Sequence, residues 1–182
     1  MEVIRQSCER YRVADPSWNN PLDGTWSMRF GGRWNRPGSF PVTYLSADLA
    51  TARANARRLL LENLRGQPFA AADLDPSELP LLVSVDLPDD RYLDVITDRG
   101  CLGNGLPVTY PRDSSGKQVS WAVCQPVGQE AWGAGLAGVA CRSAAPSTAA
   151  DGQELAWFDR HEVKLQPTQS RTFQDWYGVI DW

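Results

Sequence analysis

The sequence predicts an α+β fold built as a single domain over residues 1–182. Three observations carry that expectation. Short runs of strand-forming residues recur along the chain, one long stretch has the composition of a helix, and 182 residues that are 42% hydrophobic and 22% charged suffice for one core without demanding a second.

The first run, Glu9–Ala14, alternates charged and less polar residues as a half-buried strand does. Prolines and turn formers in residues 15–24 predict a surface loop, whose Trp18 is free either to cover a ligand or to fasten the loop to the core. Residues 41–45 read as a short strand. Asp48 then stands as an N-cap before residues 49–64, rich in Ala, Leu and Arg, with no Gly or Pro until Gly66. On a wheel at 100° per residue, Ala52, Asn55, Leu59 and Glu62 share one stripe, whereas Arg53, Arg57 and Leu61 face away. Asn55 is thus expected to point inward, with Glu62 about 10 Å further along the same stripe.

Residues 67–80 are acidic and punctuated by proline, a connection with room for one helical turn near Pro76. A central strand is expected at residues 81–87 and a shorter one at 92–95. Four glycines and two prolines between Gly100 and Lys117 predict an irregular, mobile segment. Residues 118–125 fit a strand or a helix, and 129–133 a short helix or loop. Small residues at 138–143 suggest a strand, residues 146–152 a turn, and residues 155–158 a strand that ends at Asp159. The aromatic residues 176–182 are expected to pack on the body.

Lys plus Arg number 18 against 22 Asp plus Glu, a net charge of -4 that disfavours a general nucleic-acid binder. Arg53, Arg57, Arg58 and Arg65 cluster on the helix, either as a solvated face or as a surface for an acidic partner. Cys8, Cys101, Cys124 and Cys141 form no CxxC pair, so reduced thiols are expected rather than a zinc or redox site. His161, the one histidine, sits in a charged turn without the neighbours of a catalytic triad or a metal site. Neither a leader-like segment nor a run of 18 apolar residues is visible, so no membrane contact and a cytoplasmic location are expected.

The most informative stretch is Gly31-Gly32-Arg33-Trp34-Asn35-Arg36-Pro37-Gly38. Paired glycines permit positive φ or a close backbone approach, and Arg33 with Trp34 sets a cation and an aromatic ring near a helix start, the ingredients of a nucleotide pocket. Together with Tyr44, the helix after it, Gly138-Val139-Ala140-Cys141-Arg142-Ser143 and Leu155-Ala156-Trp157-Phe158-Asp159, this stretch resembles the RES domain over roughly residues 11–159.

That resemblance implies an ADP-ribosyltransferase-like mixed β-sheet core with flanking helices, NAD as substrate and no metal. It also implies an NAD-cleaving toxin, a glycohydrolase or phosphorylase, paired with a helix-turn-helix (Xre-type) antitoxin. Oligomeric state is left open, a homo-oligomer included. By motif, Arg33 corresponds to the family arginine, Tyr44 to its pocket tyrosine and Ser143 to its serine, with Arg12 placed near a second phosphate-binding arginine. The site expected is therefore Arg12, Arg33, Trp34, Tyr44 and Ser143 for binding, with Arg33, Tyr44, Asn55, Ser143 and Glu62 for catalysis.

The family glutamate, eleven residues after the tyrosine, is here Asn55. Cleaving the nicotinamide-ribose bond builds positive charge on the ribose, which a fixed carboxylate stabilises and a neutral amide does not. Three readings follow: a binding module with weakened catalysis, Glu62 reaching in from two turns away, or another carboxylate such as Asp48. Transfer of ADP-ribose to a protein is a further alternative.

Overall fold

The computed structural model describes residues 1–63, 75–145, 152–160 and 163–177, without the side chains of residues 61–63 and 76. The Glu62 side chain and His161 lie outside the described residues. Eight strands join in one mixed sheet, in the order β1-β5-β6-β7-β3-β2-β4-β8. They are β1 (Val3–Gln6), β2 (Glu9–Ala14), β3 (Val42–Ser46), β4 (Leu81–Asp86), β5 (Asp90–Val95), β6 (Gly138–Arg142), β7 (Gln153–Phe158) and β8 (Pro167–Arg171). The strands expected near 9–14, 41–45, 81–87, 92–95, 138–143 and 155–158 are all present, and β1 and β8 add two short strands at the sheet's edges.

Every neighbouring pair is antiparallel except β5 and β6. A parallel pair cannot be closed by a hairpin and needs a long crossover. Residues 96–137 supply it through helices α3 (Asp98–Gly103) and α4 (Trp121–Gly133), after α1 (Thr25–Phe30) and α2 (Leu49–Asn63) earlier in the chain. The segment expected to be irregular from residue 100 therefore begins inside α3. The two undecided stretches at 118–125 and 129–133 merge into α4, whose interior Pro126 removes one backbone donor and blurs the helical signal. The expected turn near Pro76 is a single 3-10 turn, and the C-terminal α5 (Phe173–Tyr177) buries Trp176.

Both faces of the sheet are covered, which is why its central strands read as continuous apolar runs. On one face, α3 and α4 pack Cys101, Cys124 and Ala131 against Val42, Val95, Val139, Cys141, Ala156 and Phe158. Beside them, α2 and α5 pack Ala52, Ala56, Leu60, Phe173 and Trp176 against Tyr11, Val13 and Leu82. The opposite face, with Ala14, Leu45, Val83, Val85, Tyr92, Leu155 and Trp157, is covered by Leu22, Leu87 and Leu165.

The Gly-Gly-Arg-Trp-Asn loop is fastened from within by Asn35, which is fully buried. Its amide nitrogen donates to the carbonyls of Ser27 at 2.7 Å and Phe40 at 3.1 Å. Its side-chain oxygen accepts from the Tyr44 hydroxyl at 3.2 Å, and its backbone carbonyl accepts from the Gly32 amide at 2.9 Å. The expected use of the glycines divides between them: Gly31 takes a φ of 80° at the end of α1, and Gly32 makes the close approach, since a Cβ there would overlap the Tyr44 hydroxyl.

Replacing Asn35 by Ala leaves the Phe40 carbonyl without its donor and removes one bond each from the Ser27 carbonyl, which keeps the Gly31 amide, and from the Tyr44 hydroxyl, which keeps the Trp34 amide. The expected outcome is a loss of about 2–3 kcal/mol in urea unfolding. Arg36→Ala, at an exposed neighbour, is expected to stay within about 0.5 kcal/mol of the parent.

Candidate active site

Where the cluster under α4 gives way to the cluster under α2, a row of side chains crosses five strands at one level. By register it runs Cys141 on β6, Glu154 on β7, Ser46 on β3, Tyr11 on β2 and Ser84 on β4. Neighbouring rows on this face hold Val139, Ala156, Phe158 and Val42. This row is polar at its centre because of Glu154 and Ser46, and Glu154 is only half-buried.

Glu154 is the residue that sequence reasoning missed. Its Oε1 accepts from the Asn55 amide at 2.8 Å and from the Ser143 hydroxyl at 2.8 Å. The Asn55 amide also lies 3.3 Å from Ser46 Oγ. Among the described residues no cation pairs with Glu154, and its Oε2 has no hydrogen-bond donor. The available signal was a charged residue at the inward-facing start of a strand that is otherwise buried on both sides.

Asn55 reaches the row because of how α2 lies. Asp48 caps the helix, its Oδ1 accepting from the Thr51 amide at 2.7 Å. Ala52, Ala56 and Leu60 form the buried stripe, so the wheel is turned slightly from the one expected, and Leu59 is exposed. Asn55 sits at the edge of that stripe and leans toward β7. The Asp48 carboxylate is engaged as a cap, which sets it apart from the row. Ser143, just past β6, also accepts from the Ala145 amide at 3.1 Å, and its own amide donates to Gly152 at 2.7 Å, tying the β6 to β7 connection around the carboxylate.

Arg33 lies on the α4 side. One guanidinium nitrogen donates to the Val119 carbonyl at 3.0 Å, and the group is lined by Tyr110, Cys124 and Cys141. It has no carboxylate partner among the described residues. The Tyr44 hydroxyl accepts from the Trp34 amide at 3.1 Å while donating to Asn35. Burial pushes the Tyr44 phenol up; the Trp34 hydrogen bond and Arg33 oppose that shift, and Glu154 adds to it. Tyr44 therefore stays protonated and locks the loop. Tyr110, whose hydroxyl is buried with no partner among the described residues, likewise feels both Arg33 and Glu154, and burial pushes its phenol up as well.

Two expected binding residues lie elsewhere. Trp34 is fully buried, its ring 5.9 Å from that of Tyr110, so its large apolar surface serves the core and presents no ring to a ligand. Arg12 pairs with Val83 in the β2–β4 ladder and alternates with Tyr11 and Val13, which places it on the face away from Glu154. Strands β2 and β3 pair only at Tyr11 and Ser46, leaving the Tyr44 carbonyl without a ladder donor, and Arg12 supplies one at 2.8 Å. Its guanidinium lies 5.4 Å from the Trp18 ring, and burial pushes it down to about 10. Trp18 thus fastens its loop over Arg12 rather than covering the polar row.

The arrangement joins a carboxylate and a guanidinium, neither compensated by the other's sign, with a serine hydroxyl and an amide beside the carboxylate. It can hold an anionic group at Arg33 and meet positive charge at Glu154. Among the described residues no group of three His, Cys, Asp or Glu could hold a metal ion, and no helix is long and apolar enough to cross a membrane.

Comparison with known proteins gives these features a lineage. The chain is 31% identical over 134 residues to the NAD(+) phosphorylase MbcT of Mycobacterium bovis and of Mycobacterium tuberculosis, a match covering 74% of this chain. It spans 65% of the length of those relatives. The fold matches a chain in the crystal structure of the Mycobacterium tuberculosis MbcT-MbcA toxin-antitoxin complex with a TM-score of 0.69 and 25% identity, covering 96% of this chain and 90% of that one. A sequence model of the RES domain matches residues 9–175, and this chain belongs to the RES domain family.

Proposed function

We propose that this protein cleaves the nicotinamide-ribose bond of NAD and passes the ADP-ribose to phosphate. The observation that carries the reading is that a guanidinium and a carboxylate, each without an ion-pair partner among the described residues, both act on Tyr44 and Tyr110. NAD has matching charges: an anionic pyrophosphate, and a ribose that becomes cationic as the bond to nicotinamide breaks.

In the reaction the C1–N bond breaks, and its electron pair leaves with nicotinamide, discharging the pyridinium. A phosphate oxygen forms the new bond at C1, giving an ADP-ribose 1-phosphate. Arg33, always charged and forked for bidentate contact, holds the pyrophosphate. Ser143 lies next to the reacting sugar through its contact with Glu154. Phosphate as acceptor is supported by the curated relatives, which are NAD phosphorylases. The structural neighbour, a toxin-antitoxin complex, supports a toxin whose partner is an antitoxin protein, and the same reading puts it in the cytoplasm.

The purified protein incubated with NAD is expected to release nicotinamide, and the sugar 1-phosphate is expected, by phosphorus NMR, only when phosphate is present. Full recovery of NAD after long incubation at high protein concentration would overturn the reading. ADP-ribose without the 1-phosphate would identify water as the acceptor.

Arg33→Ala removes charge-assisted hydrogen bonds to the pyrophosphate, each worth about 1.5–3 kcal/mol. The expected fall in kcat/KM is about 10- to 100-fold, mostly through KM. Arg33→Lys keeps the charge but loses the fork, and is expected to fall between the parent and Arg33→Ala.

A further inference from the structure

We propose that Glu154 on β7 is the catalytic carboxylate of this chain, acting from the sheet in place of a glutamate on α2, and that Asn55 positions it. The inference rests on the NAD-cleaving reading. The α2 position presents only the Asn55 amide, yet a negative charge is present at hydrogen-bond distance from that amide, on strand β7. The charge of the site has changed elements without leaving the site.

The pair is chemically complementary. A carboxylate accepts and an amide nitrogen donates, so Asn55 to Glu154 makes one good contact at 2.8 Å. Carboxylates at both positions would face each other at that distance and could not both be ionised, which would leave one protonated and the site short of charge. Asparagine at position 55 is therefore the residue that keeps Glu154 available.

The geometry leaves the reactive edge open. Asn55 and Ser143 both bond Oε1, which fixes the plane of the carboxylate, while Oε2 has no donor among the described residues. Glu154 is half-buried, so a ligand can reach it, while its strand neighbours Leu155, Ala156, Trp157 and Phe158 are buried and hold the backbone still. As nicotinamide leaves with the C1–N electron pair, the cation spread over C1 and the ring oxygen lies against Oε2. No proton moves at Glu154 in that step. The acceptor oxygen then bonds to C1 on the opposite side.

The test compares the parent protein with Glu154→Gln, Glu154→Asp and Asn55→Ala, and with a double variant that combines Asn55→Glu and Glu154→Gln. Each is followed by nicotinamide release and by NAD binding in calorimetry. An amide oxygen at position 154 still accepts from Asn55 and Ser143, so folding is retained and only the charge is lost. The expected result is a fall in kcat of about 100- to 1,000-fold with NAD affinity changed by less than about threefold. Glu154→Asp keeps the charge one methylene short, and a fall of about tenfold in kcat is expected. Asn55→Ala is expected to lower kcat about tenfold without weakening NAD binding, the split that marks a positioning role.

In the double variant the carboxylate returns to α2 and the amide introduced on β7 donates to it, so kcat is expected to recover at least about tenfold over Glu154→Gln. If the parent cleaves NAD and Glu154→Gln cleaves it as fast, this proposal is overturned while the NAD-cleaving function stands. A parent that binds NAD without cleaving it overturns the role of Glu154 as well. A parent that neither binds nor cleaves NAD overturns the function itself, and the proposal with it.

Discussion

A charged carboxylate held half out of water, with no cation beside it among the described residues, constrains this molecule more than any other interaction. Withdrawing an ion from water costs several kcal/mol unless it is paired or hydrogen-bonded. Glu154 is supported by the Asn55 amide and the Ser143 hydroxyl, both neutral, and hydrogen bonds to a charged group contribute about 1.5–3 kcal/mol each. Those two donors come from α2 and from the end of β6, so the carboxylate fixes how the helix and the connection beyond β6 sit on the sheet. A cation there would have satisfied the charge more fully and removed its use.

The guanidinium of Arg33 is kept available by a different device. Its loop is held by bonds that involve neither its side chain nor any ligand: Asn35 gathers the Ser27 and Phe40 carbonyls, and Tyr44 joins the Trp34 amide to Asn35. With the loop anchored through a neutral amide and a phenol, the arginine is oriented by the Val119 carbonyl and by Cys124. Anion and cation thus stand on separate rigid supports, Glu154 in a fully paired strand and Arg33 on a locked loop. The two form no ion pair, which would quench both.

How much of this was legible in the sequence follows from the range of the interactions. The long helix was readable because Asp48 and an unbroken stretch without Gly or Pro are local signals, and the six central strands because they are apolar or alternate. Strands β1 and β8 were not, being short edges whose identity comes from pairing with β5 and β4. Helix α4 was masked by Pro126. In the site, Arg33 and Tyr44 stood out through their motif, but strand alternation carries Arg12 to the other face, and burial makes Trp34 a core residue. Glu154 was hidden because it is 99 residues from Asn55, and only the β3–β7 register brings it into the row of Ser46.

Moving a catalytic charge from a helix to a strand changes how it is held. A carboxylate on a helix reaches its target along a side chain whose base moves with the helix, and α2 is held on the sheet by side-chain packing alone, through Ala52, Ala56 and Leu60. At position 154 the strand is paired on both sides, with Glu154 opposite Ser46 of β3 and Cys141 of β6, so two ladders fix the Cα before any side-chain contact is made. Electrostatic stabilisation of a transient cation depends on the charge being in place beforehand, because reorganising it during the reaction forfeits the gain. On that ground the sheet is the better platform, and α2 is left to supply the neutral amide that aims the charge.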